Sequence, residues 1–397
     1  MRAADSAPTA DSGPFSRHVP SLDGVRGLAI LAVLAIHLLF SNYQSTSRVV
    51  QALLSVRDLL WVGVTLFFSL SGFLITGVLF DTLGTERYFS SFFARRCLRI
   101  FPLYYGVLLL LLLLTRPLHM DWHGQAYRLW TYTPNIPFLN EWTDNPSPYI
   151  ELRHFWSLAV EEQFYVLWPW IVFLLGTRRK IFMATIAGSA LALGLRTWLA
   201  LTGQYPENHA LPFCMDALLL GGALALLVRS RHRERVLRWG APVFIAAVAI
   251  TLVQMLRSPD FSWESSFYLT TVGMTVIALG TTALIAAALK TGSLAEAFFA
   301  APILRFFGRY SYGLYVYHYS IDRSLTMPLR TFLESHGRSS ALSILAAAAV
   351  VLAISICLAL ASYHLYEKHF IRLKRYFPYR RRAVPPQPAR TTAATIV

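Results

Sequence analysis

Residues 341–362 form an unbroken apolar stretch, ALSILAAAAVVLAISICLALAS, which contains no Asp, Glu, Lys or Arg. As an α-helix with a rise of about 1.5 Å per residue, it would be about 33 Å long, enough to cross the roughly 30 Å hydrocarbon core of a bilayer. A soluble domain has no need for a charge-free helix of this length. The stretch therefore predicts a transmembrane helix.

Stretches of the same kind recur along the whole 397-residue chain, which is 55% hydrophobic and only 14% charged. An ordinary soluble domain has about 25% charged residues. The composition excludes a disordered chain, a fibrous repeat, a secreted disulfide scaffold and a soluble globular enzyme. We predict an all-α polytopic membrane protein, a bundle of about ten transmembrane helices. The predicted spans are 26–41, 59–80, 100–115, 157–176, 181–201, 212–228, 239–256, 268–289, 310–328 and 341–364.

The basic residues indicate the orientation of the bundle. The net charge is +15, but the Lys and Arg residues lie in short clusters between the apolar stretches, as the positive-inside rule requires. With the N-terminus inside, 26 of the 36 Lys and Arg residues fall on the inner side. The sequence therefore predicts a multi-pass protein of the cell membrane (inner or plasma membrane) with both termini cytoplasmic, the lipid bilayer as a partner and no nucleic-acid partner.

The two ends of the chain are polar and rich in small residues and proline. They predict a disordered cytoplasmic tail over 1–20 and a basic, disordered cytoplasmic tail over 373–397, on either side of a transmembrane domain over 21–372. Three scattered cysteines give neither a disulfide framework nor the paired spacing of a metal site. We predict no metal and no tightly bound cofactor.

His37 is the clearest ionisable residue inside a predicted membrane helix, which makes it a functional candidate. It follows Arg26 by eleven residues, so the two side chains share a helix face about 16 Å apart along the axis. At the predicted cytoplasmic start of the helix, Arg26 would add to the helix dipole as an anion site. His37 would accept a proton from a hydroxyl. Alternatively, neither residue is functional: Arg26 is a basic residue that only orients the helix in the membrane, and His37 forms a hydrogen bond to a neighbouring helix.

Two adjacent carboxylates, Glu161 and Glu162, lie near the start of the predicted span 157–176. Neighbouring helical positions point about 100° apart, so at most one carboxylate can face a site shared with His37. That carboxylate would orient the imidazole or bind an acceptor hydroxyl. Otherwise the two residues cap the helix at the membrane interface.

Two further pairs of ionisable residues are interpreted as structural. His318 and Asp322 are four residues apart and would share one helix face. Arg196 and Asp216 fall near the outer ends of their predicted helices and would pair with each other.

Three arginines, Arg95, Arg96 and Arg99, precede the predicted span 100–115. A basic cluster beside a membrane helix is usually an orientation signal. Because guanidinium groups form bidentate contacts with phosphate, the cluster is also a candidate clamp for a polyphosphate nucleotide.

Five motifs, in this order, resemble those of the acyltransferase 3 family of integral membrane acyltransferases. The motifs extend over nearly the whole of this chain. They correspond to the membrane core of the family, without the esterase-like domain that many relatives carry. The motif residues are Ser21–Gly27 with His37; Phe68–Phe73; Arg95–Pro102; Trp156, Ser157, Leu158, Val160, Glu161, Phe164 and Tyr165; and Ser311, Tyr312 and Gly313 with His318.

The resemblance implies transfer of an acyl group, acetyl or another short one, from cytoplasmic acyl-CoA as co-substrate. The implied acceptor is a hydroxyl of a carbohydrate, a glycolipid or a glycosylated small molecule. It also implies that His37 is the general base, that Arg26 engages the CoA phosphates and that Glu161 is the motif carboxylate. The remaining candidates for the acceptor site or its support are Glu162, Trp156, Ser157, Tyr165, His318 and Asp322.

A second class of function stays open at this point. In a transporter or flippase of acyl groups or glycolipids, His37, Glu161 and Asp322 would line a pathway through the bilayer. Release of free CoA by the isolated protein distinguishes the transferase from the transporter.

Overall fold

The computed structural model describes residues 18–40, 60–122, 124, 126–136, 146–203, 209–257 and 266–379. These residues are mostly α-helical and include no β-strand, which confirms the all-α prediction. The helices are α1 (Pro20–Ala35), α2 (Val62–Asp81), α3 (Tyr88–Leu113), α4 (Ala126–Trp130), α5 (Phe155–Leu175), α6 (Arg178–Leu201), α7 (Leu211–Leu227), α8 (Arg233–Arg257), α9 (Met274–Ala288), α10 (Leu294–Phe299), α11 (Pro302–Ser335), α12 (Ser340–Ser362) and α13 (Lys368–Arg372).

Eight helices in the described part of the chain are long and apolar enough to cross a membrane, which confirms a polytopic membrane protein. The other two predicted spans correspond to α7 and α11. Helix α7 is apolar but has only 17 residues. Helix α11 has 34 residues and carries many polar side chains.

Glycines set the closest contacts between helices. Helix α1 lies along α11, and α2 lies along α7. A Cβ atom built on Gly308 would lie 1.8 Å from the carbonyl oxygen of Asp23, and one built on Gly72 would lie 1.8 Å from that of Leu218. A Cβ on Gly27 would lie 1.9 Å from a backbone oxygen of α11. Only glycine permits backbones to approach this closely, so these positions fix the spacing of α1 against α11 and of α2 against α7.

Helix α1 begins before the predicted apolar span 26–41 and changes its winding before it ends. Its first residue is Pro20, which places Arg26 beyond the first turn. Because the helix dipole acts within the first turn, the predicted addition of Arg26 to that dipole is wrong. At the other end a π-helical turn, Ile36–Phe40, contains His37. Such turns are frequent at functional positions.

Helix α3 is much longer than the predicted span 100–115. It begins at Tyr88, so Arg95, Arg96 and Arg99 lie inside the helix and not before it. Arginines are tolerated at such positions where they face protein or a water-filled cavity. Arg96 and Arg99 line a cavity to which α1 and α5 also contribute side chains, so two of the three have that environment.

The described fold continues to residue 379, past the predicted domain boundary at 372. Residues Leu373–Tyr376 form a 3₁₀ turn. Arg95 donates hydrogen bonds to the carbonyl oxygens of Lys374 and Phe377, each at 3.4 Å. The other parts of the predicted tails, 1–17 and 380–397, lie outside the described residues.

Replacing Gly308 by Ala is expected to lower the thermal unfolding midpoint of the protein in detergent, because the added Cβ forces α1 and α11 apart. Overpacking of this kind costs about 1–3 kcal/mol. The matched control is Gly194→Ala in α6, where nothing lies within 4 Å of the built Cβ. The control should keep or slightly raise the midpoint. Equal midpoints for the two variants would contradict the packing role of Gly308.

Candidate functional site

A cavity of about 840 Å³, its open mouth included, lies between α1, α2, α3, α5 and α11. Three of its lining side chains are basic, namely Arg26, Arg96 and Arg99, and two are acidic, namely Glu161 and Glu162. Charged side chains inside a membrane domain are costly unless water, a counter-charge or a ligand satisfies them. The cavity is therefore the candidate site for a charged ligand.

The arginines reach the cavity from two different helices. Arg26 projects from α1, and its Nη1 lies 3.7 Å from Oδ1 of Asp23, one turn earlier. Arg96 and Arg99 project from α3. Two guanidinium groups of this cluster are thus without a carboxylate partner in the described ion pairs, which suits the binding of an anion.

Hydrogen bonds fix the first of the two carboxylates. Ser71 Oγ donates to Oε1 of Glu161 at 2.6 Å, and Tyr165 Oη lies 3.2 Å from its Oε2. Ser71 belongs to α2 and Tyr165 to α5, so this network joins two walls of the cavity. In contrast, Oε1 of Glu162 is buried and has no hydrogen-bond partner in the described structure. Glu162 therefore has an acceptor atom for a ligand or for water.

Tyr315 belongs both to the cavity wall and to a neighbouring histidine cluster. Its hydroxyl donates to the carbonyl oxygen of His154 at 2.8 Å, and Ser157 Oγ lies 2.5 Å from the Tyr315 oxygen. The centroid of its ring is 5.7 Å from that of His318. These hydrogen bonds hold the phenol between the cavity and the histidines.

Three histidines, His37, His154 and His318, lie on the far side of Tyr315. Nδ1 of His37 is 3.1 Å from Nε2 of His318, and the ring centroids of His154 and His318 are 5.5 Å apart. Burial lowers the pKa of His154 well below its ordinary value, and the two neighbouring imidazoles act in the same direction. The His154 imidazole is therefore neutral near pH 7.

The expected pairing of His318 with Asp322 is not formed. Nδ1 of His318 lies 2.9 Å from the carbonyl oxygens of Leu314 and Tyr315 on its own helix. Thr326 donates to Oδ1 of Asp322 at 2.5 Å. The backbone of α11 holds the imidazole, and a hydroxyl one turn further along holds the carboxylate.

Two other predicted site residues lie off the cavity. Arg95 contacts the C-terminal segment, with its guanidinium 5.5 Å from the ring centroid of Tyr379. Trp156 packs against Phe68 and His209, at ring-centroid distances of 6.0 and 4.4 Å. The cavity thus gathers Arg26, Arg96, Arg99, Glu161, Glu162, Ser157 and Tyr165 from the predicted set.

Three residues that contribute to the arrangement were not predicted from the sequence, namely Ser71, Tyr315 and His154. Ser71 had a visible signal, since it is a polar residue inside a long apolar span and part of a recognised motif. Tyr315 and His154 had no such signal in the sequence. Their importance depends on the packing of α11 against the start of α5, which the sequence does not reveal.

The predicted pair of Arg196 and Asp216 is confirmed and lies away from the cavity. Nη2 of Arg196 donates to Oδ2 of Asp216 at 2.7 Å, and Thr275 Oγ1 donates to the same oxygen at 2.8 Å. Arg196 also donates to the carbonyl oxygen of Phe213. Both charged side chains are almost fully buried. The pair joins α6, α7 and α9 and is structural.

Comparisons with known proteins agree with the motif analysis. A family model described as an acyltransferase domain matches residues 19–362. The chain is 29% identical over 332 residues to the peptidoglycan O-acetyltransferase OatA of Listeria monocytogenes. This alignment covers 79% of the chain and 50% of that protein. It is 28% identical over 326 residues to the putative peptidoglycan O-acetyltransferase YrhL of Bacillus subtilis, covering 77% and 49%. It is 27% identical over 327 residues to the O-acetyltransferase OatA of Staphylococcus aureus, covering 77% and 51%.

The chain thus spans about half the length of the curated relatives it matches. No solved structure matches it.

Replacing Asp216 by Ala is expected to lower the thermal unfolding midpoint strongly, because it leaves the buried Arg196 guanidinium without its carboxylate. Breaking a buried ion pair costs about 3–5 kcal/mol. The double variant Arg196→Met with Asp216→Leu should recover much of the loss, since it removes both charges. The control is Glu334→Ala, which removes an exposed carboxylate 3.9 Å from Arg330. A midpoint for Asp216→Ala equal to that of the control would contradict the structural role.

Proposed function

The chain belongs to the acyltransferase family whose domain model matches residues 19–362, and from that premise we propose that it is a membrane-embedded O-acetyltransferase. In this proposal an acetyl or another short acyl group moves from cytoplasmic acyl-CoA to a hydroxyl of a carbohydrate. We take a peptidoglycan sugar as the acceptor, because relatives named for that activity align with 77–79% of the chain. The observation that carries the proposal is the charged cavity beside the histidine cluster.

The cavity suits the anionic end of the donor. Coenzyme A carries its phosphates at one end, and Arg26, Arg96 and Arg99 offer guanidinium groups around one volume. Planar guanidinium groups hold phosphate through two parallel hydrogen bonds. In the proposed orientation, with both termini cytoplasmic, α1 and α3 carry these arginines in their cytoplasmic halves.

The distance between the arginines and His37 suits the shape of the donor. His37 follows Arg26 by eleven residues, which corresponds to about 16 Å along the helix axis. Acyl-CoA has the same division, because the flexible pantetheine arm separates its phosphates from its thioester. Tyr315 lies between the cavity and the histidines, so the arm passes this phenol to bring the thioester to His37.

His37 acts as the general base in the transfer step. Its imidazole removes the proton of the acceptor hydroxyl, and the oxygen attacks the thioester carbonyl. The carbon–sulfur bond then breaks, and the leaving thiolate takes the proton back from the imidazolium. The products are an O-acyl ester and free CoA.

The carboxylates support binding in this proposal. Glu161, held by Ser71 and Tyr165, balances the positive charge of the arginine cluster. Glu162 has an unpaired buried oxygen that accepts a hydrogen bond from the donor or from the acceptor hydroxyl. Ser157 and Trp156 lie at the end of α5 nearest the histidines, where the acceptor arrives.

Replacing Arg99 by Ala is expected to raise the KM for acetyl-CoA about 10- to 150-fold with little change in kcat, because a charged contact to phosphate contributes about 1.5–3 kcal/mol of binding. The matched control is Arg95→Ala on the same helix, whose guanidinium bonds to the C-terminal segment and not to the cavity. Steady-state kinetics with a soluble glycan acceptor measures both values. An equal KM for the two variants would place the donor phosphates elsewhere.

Replacing His37 by Ala is expected to lower kcat at least 100-fold, because general-base catalysis contributes about 10²–10⁴-fold. His336→Ala, an exposed histidine at the end of α11, should keep full activity. The readout is CoA release from acetyl-CoA by purified protein with a peptidoglycan-derived acceptor. Wild-type activity in the His37 variant excludes this mechanism. Absence of CoA release from wild-type protein with any acyl-CoA and acceptor favours transport of acyl groups or glycolipids instead.

A further inference from the structure

The last described segment of the chain, residues 373–379, lies against α3. Arg95 donates to the carbonyl oxygen of Lys374 at 3.4 Å, and Ser91 Oγ donates to that of Pro378 at 3.1 Å. Helix α13, which precedes the segment, also packs against α3, so the position of the segment does not depend on Arg95 alone. The segment is therefore held beside the helix that supplies two arginines to the cavity.

Lys374 differs from the two arginines nearest to it in the sequence. The side chains of Arg372 and Arg375 are exposed, whereas that of Lys374 is partly buried. Arg375 donates to the hydroxyl of Tyr376 at 2.8 Å, so its guanidinium is directed at its own neighbour. Lys374 is thus the basic residue of this segment that turns towards the protein.

The ammonium of Lys374 lies in a strongly positive environment. The charges of Arg99, Arg96 and Arg95 all act on it, and among the three that of Arg99 acts most strongly. Glu367, a buried carboxylate in the same region, attracts Arg99. Within the described part of the chain, no ion pair includes Lys374. Three guanidinium groups and an ammonium repel one another in partly buried surroundings unless an anion binds among them.

Lys374 lies on the cytoplasmic side of the cavity in the proposed orientation. Arg95, which bonds to the Lys374 carbonyl, precedes Arg99 by four residues, or about 6 Å along the helix axis. His37 lies in the opposite direction, about 16 Å beyond Arg26. The row of cations thus continues from the cavity towards the cytoplasm, away from the site of acyl transfer.

Coenzyme A carries phosphates at two places. Its diphosphate is joined to the pantetheine arm, and a third phosphate, on the ribose 3′ oxygen, lies farther from the thioester. If the arginines of the cavity hold the diphosphate, the 3′-phosphate lies on their cytoplasmic side. A phosphate monoester has a charge of about −1.5 to −2 near neutral pH, so it suits an ammonium without a carboxylate partner.

We propose that Lys374 binds the 3′-phosphate of the donor and thereby makes the protein select coenzyme A over its 3′-dephospho form. The inference rests on the proposed function, in which acyl-CoA is the donor and the arginine cavity holds its diphosphate. It adds a residue outside the cavity, in a segment that follows the last membrane helix, which determines donor specificity. The bound phosphate supplies the negative charge that the surrounding cations lack.

The test compares acetyl-CoA with acetyl-dephospho-CoA, which lacks only the 3′-phosphate, as donors for purified full-length protein. We expect wild type to have a kcat/KM about tenfold higher for acetyl-CoA, the lower end for a charged hydrogen bond, because Lys374 is only partly buried. Lys374→Ala should lose this preference through a higher KM for acetyl-CoA alone. Lys374→Arg, which keeps the charge, and the matched control Arg375→Ala should retain it.

Three results overturn the proposal. The first is equal kcat/KM values of wild type for the two donors. The second is a Lys374→Ala variant that keeps the wild-type preference. The third is a Lys374→Ala variant that loses activity equally with both donors, which indicates a structural role or a contact with lipid phosphate in place of a contact with the donor.

The proposed function and this inference fail separately. Isothermal titration calorimetry with CoA and dephospho-CoA, on the full chain in lipid nanodiscs, measures binding without a transfer step. Preferential binding of CoA that Lys374→Ala abolishes, without acyl transfer to any acceptor, supports the phosphate site and overturns the transferase function. Acyl transfer from acetyl-CoA without that preference overturns the phosphate site alone. Absence of CoA binding to wild type overturns both.

Discussion

A charged side chain inside a membrane domain is stable only where another charge, water or a ligand replaces the hydration that it loses. Two features of this chain meet that constraint in different ways. Arg196 and Asp216 satisfy each other at 2.7 Å and join three helices. The three arginines and two glutamates of the cavity remain only partly paired in the described structure, and this incomplete pairing distinguishes a binding site from a structural ion pair.

The position of the histidines depends on close contact between α1 and α11. Gly27 and Gly308 allow the two backbones to meet with no side chain between them. Further along the same contact, His37 in its π-helical turn reaches His318 at 3.1 Å. Gly27 and Gly308 thus serve the site indirectly, since a wider helix spacing would separate the two imidazoles.

Most helices were predicted correctly from the sequence, because a long apolar stretch indicates a transmembrane helix. Contacts between the side chains of different helices were predicted less well. The start of α3 at Tyr88 was not visible, since an arginine-rich segment is a helix inside a membrane domain only when neighbouring helices provide a polar cavity. For the same reason the sequence could not separate Arg95, which faces the C-terminal segment, from Arg99, which faces the cavity. The spacing of His318 and Asp322 was correct for a pair, but backbone carbonyls hold the imidazole.

In the proposed reaction one acyl-CoA is consumed for each acyl group placed on a carbohydrate hydroxyl, with His37 as the base. The most direct measurement reconstitutes the purified protein in proteoliposomes with ¹³C-acetyl-CoA and a peptidoglycan-derived acceptor, and counts free CoA and ¹³C-labelled esters by mass spectrometry. We expect equal amounts of both products from wild type and a rate at least about 100-fold lower for both from His37→Gln. Labelled ester formed at the wild-type rate by His37→Gln, or ester formed without release of CoA, would contradict it.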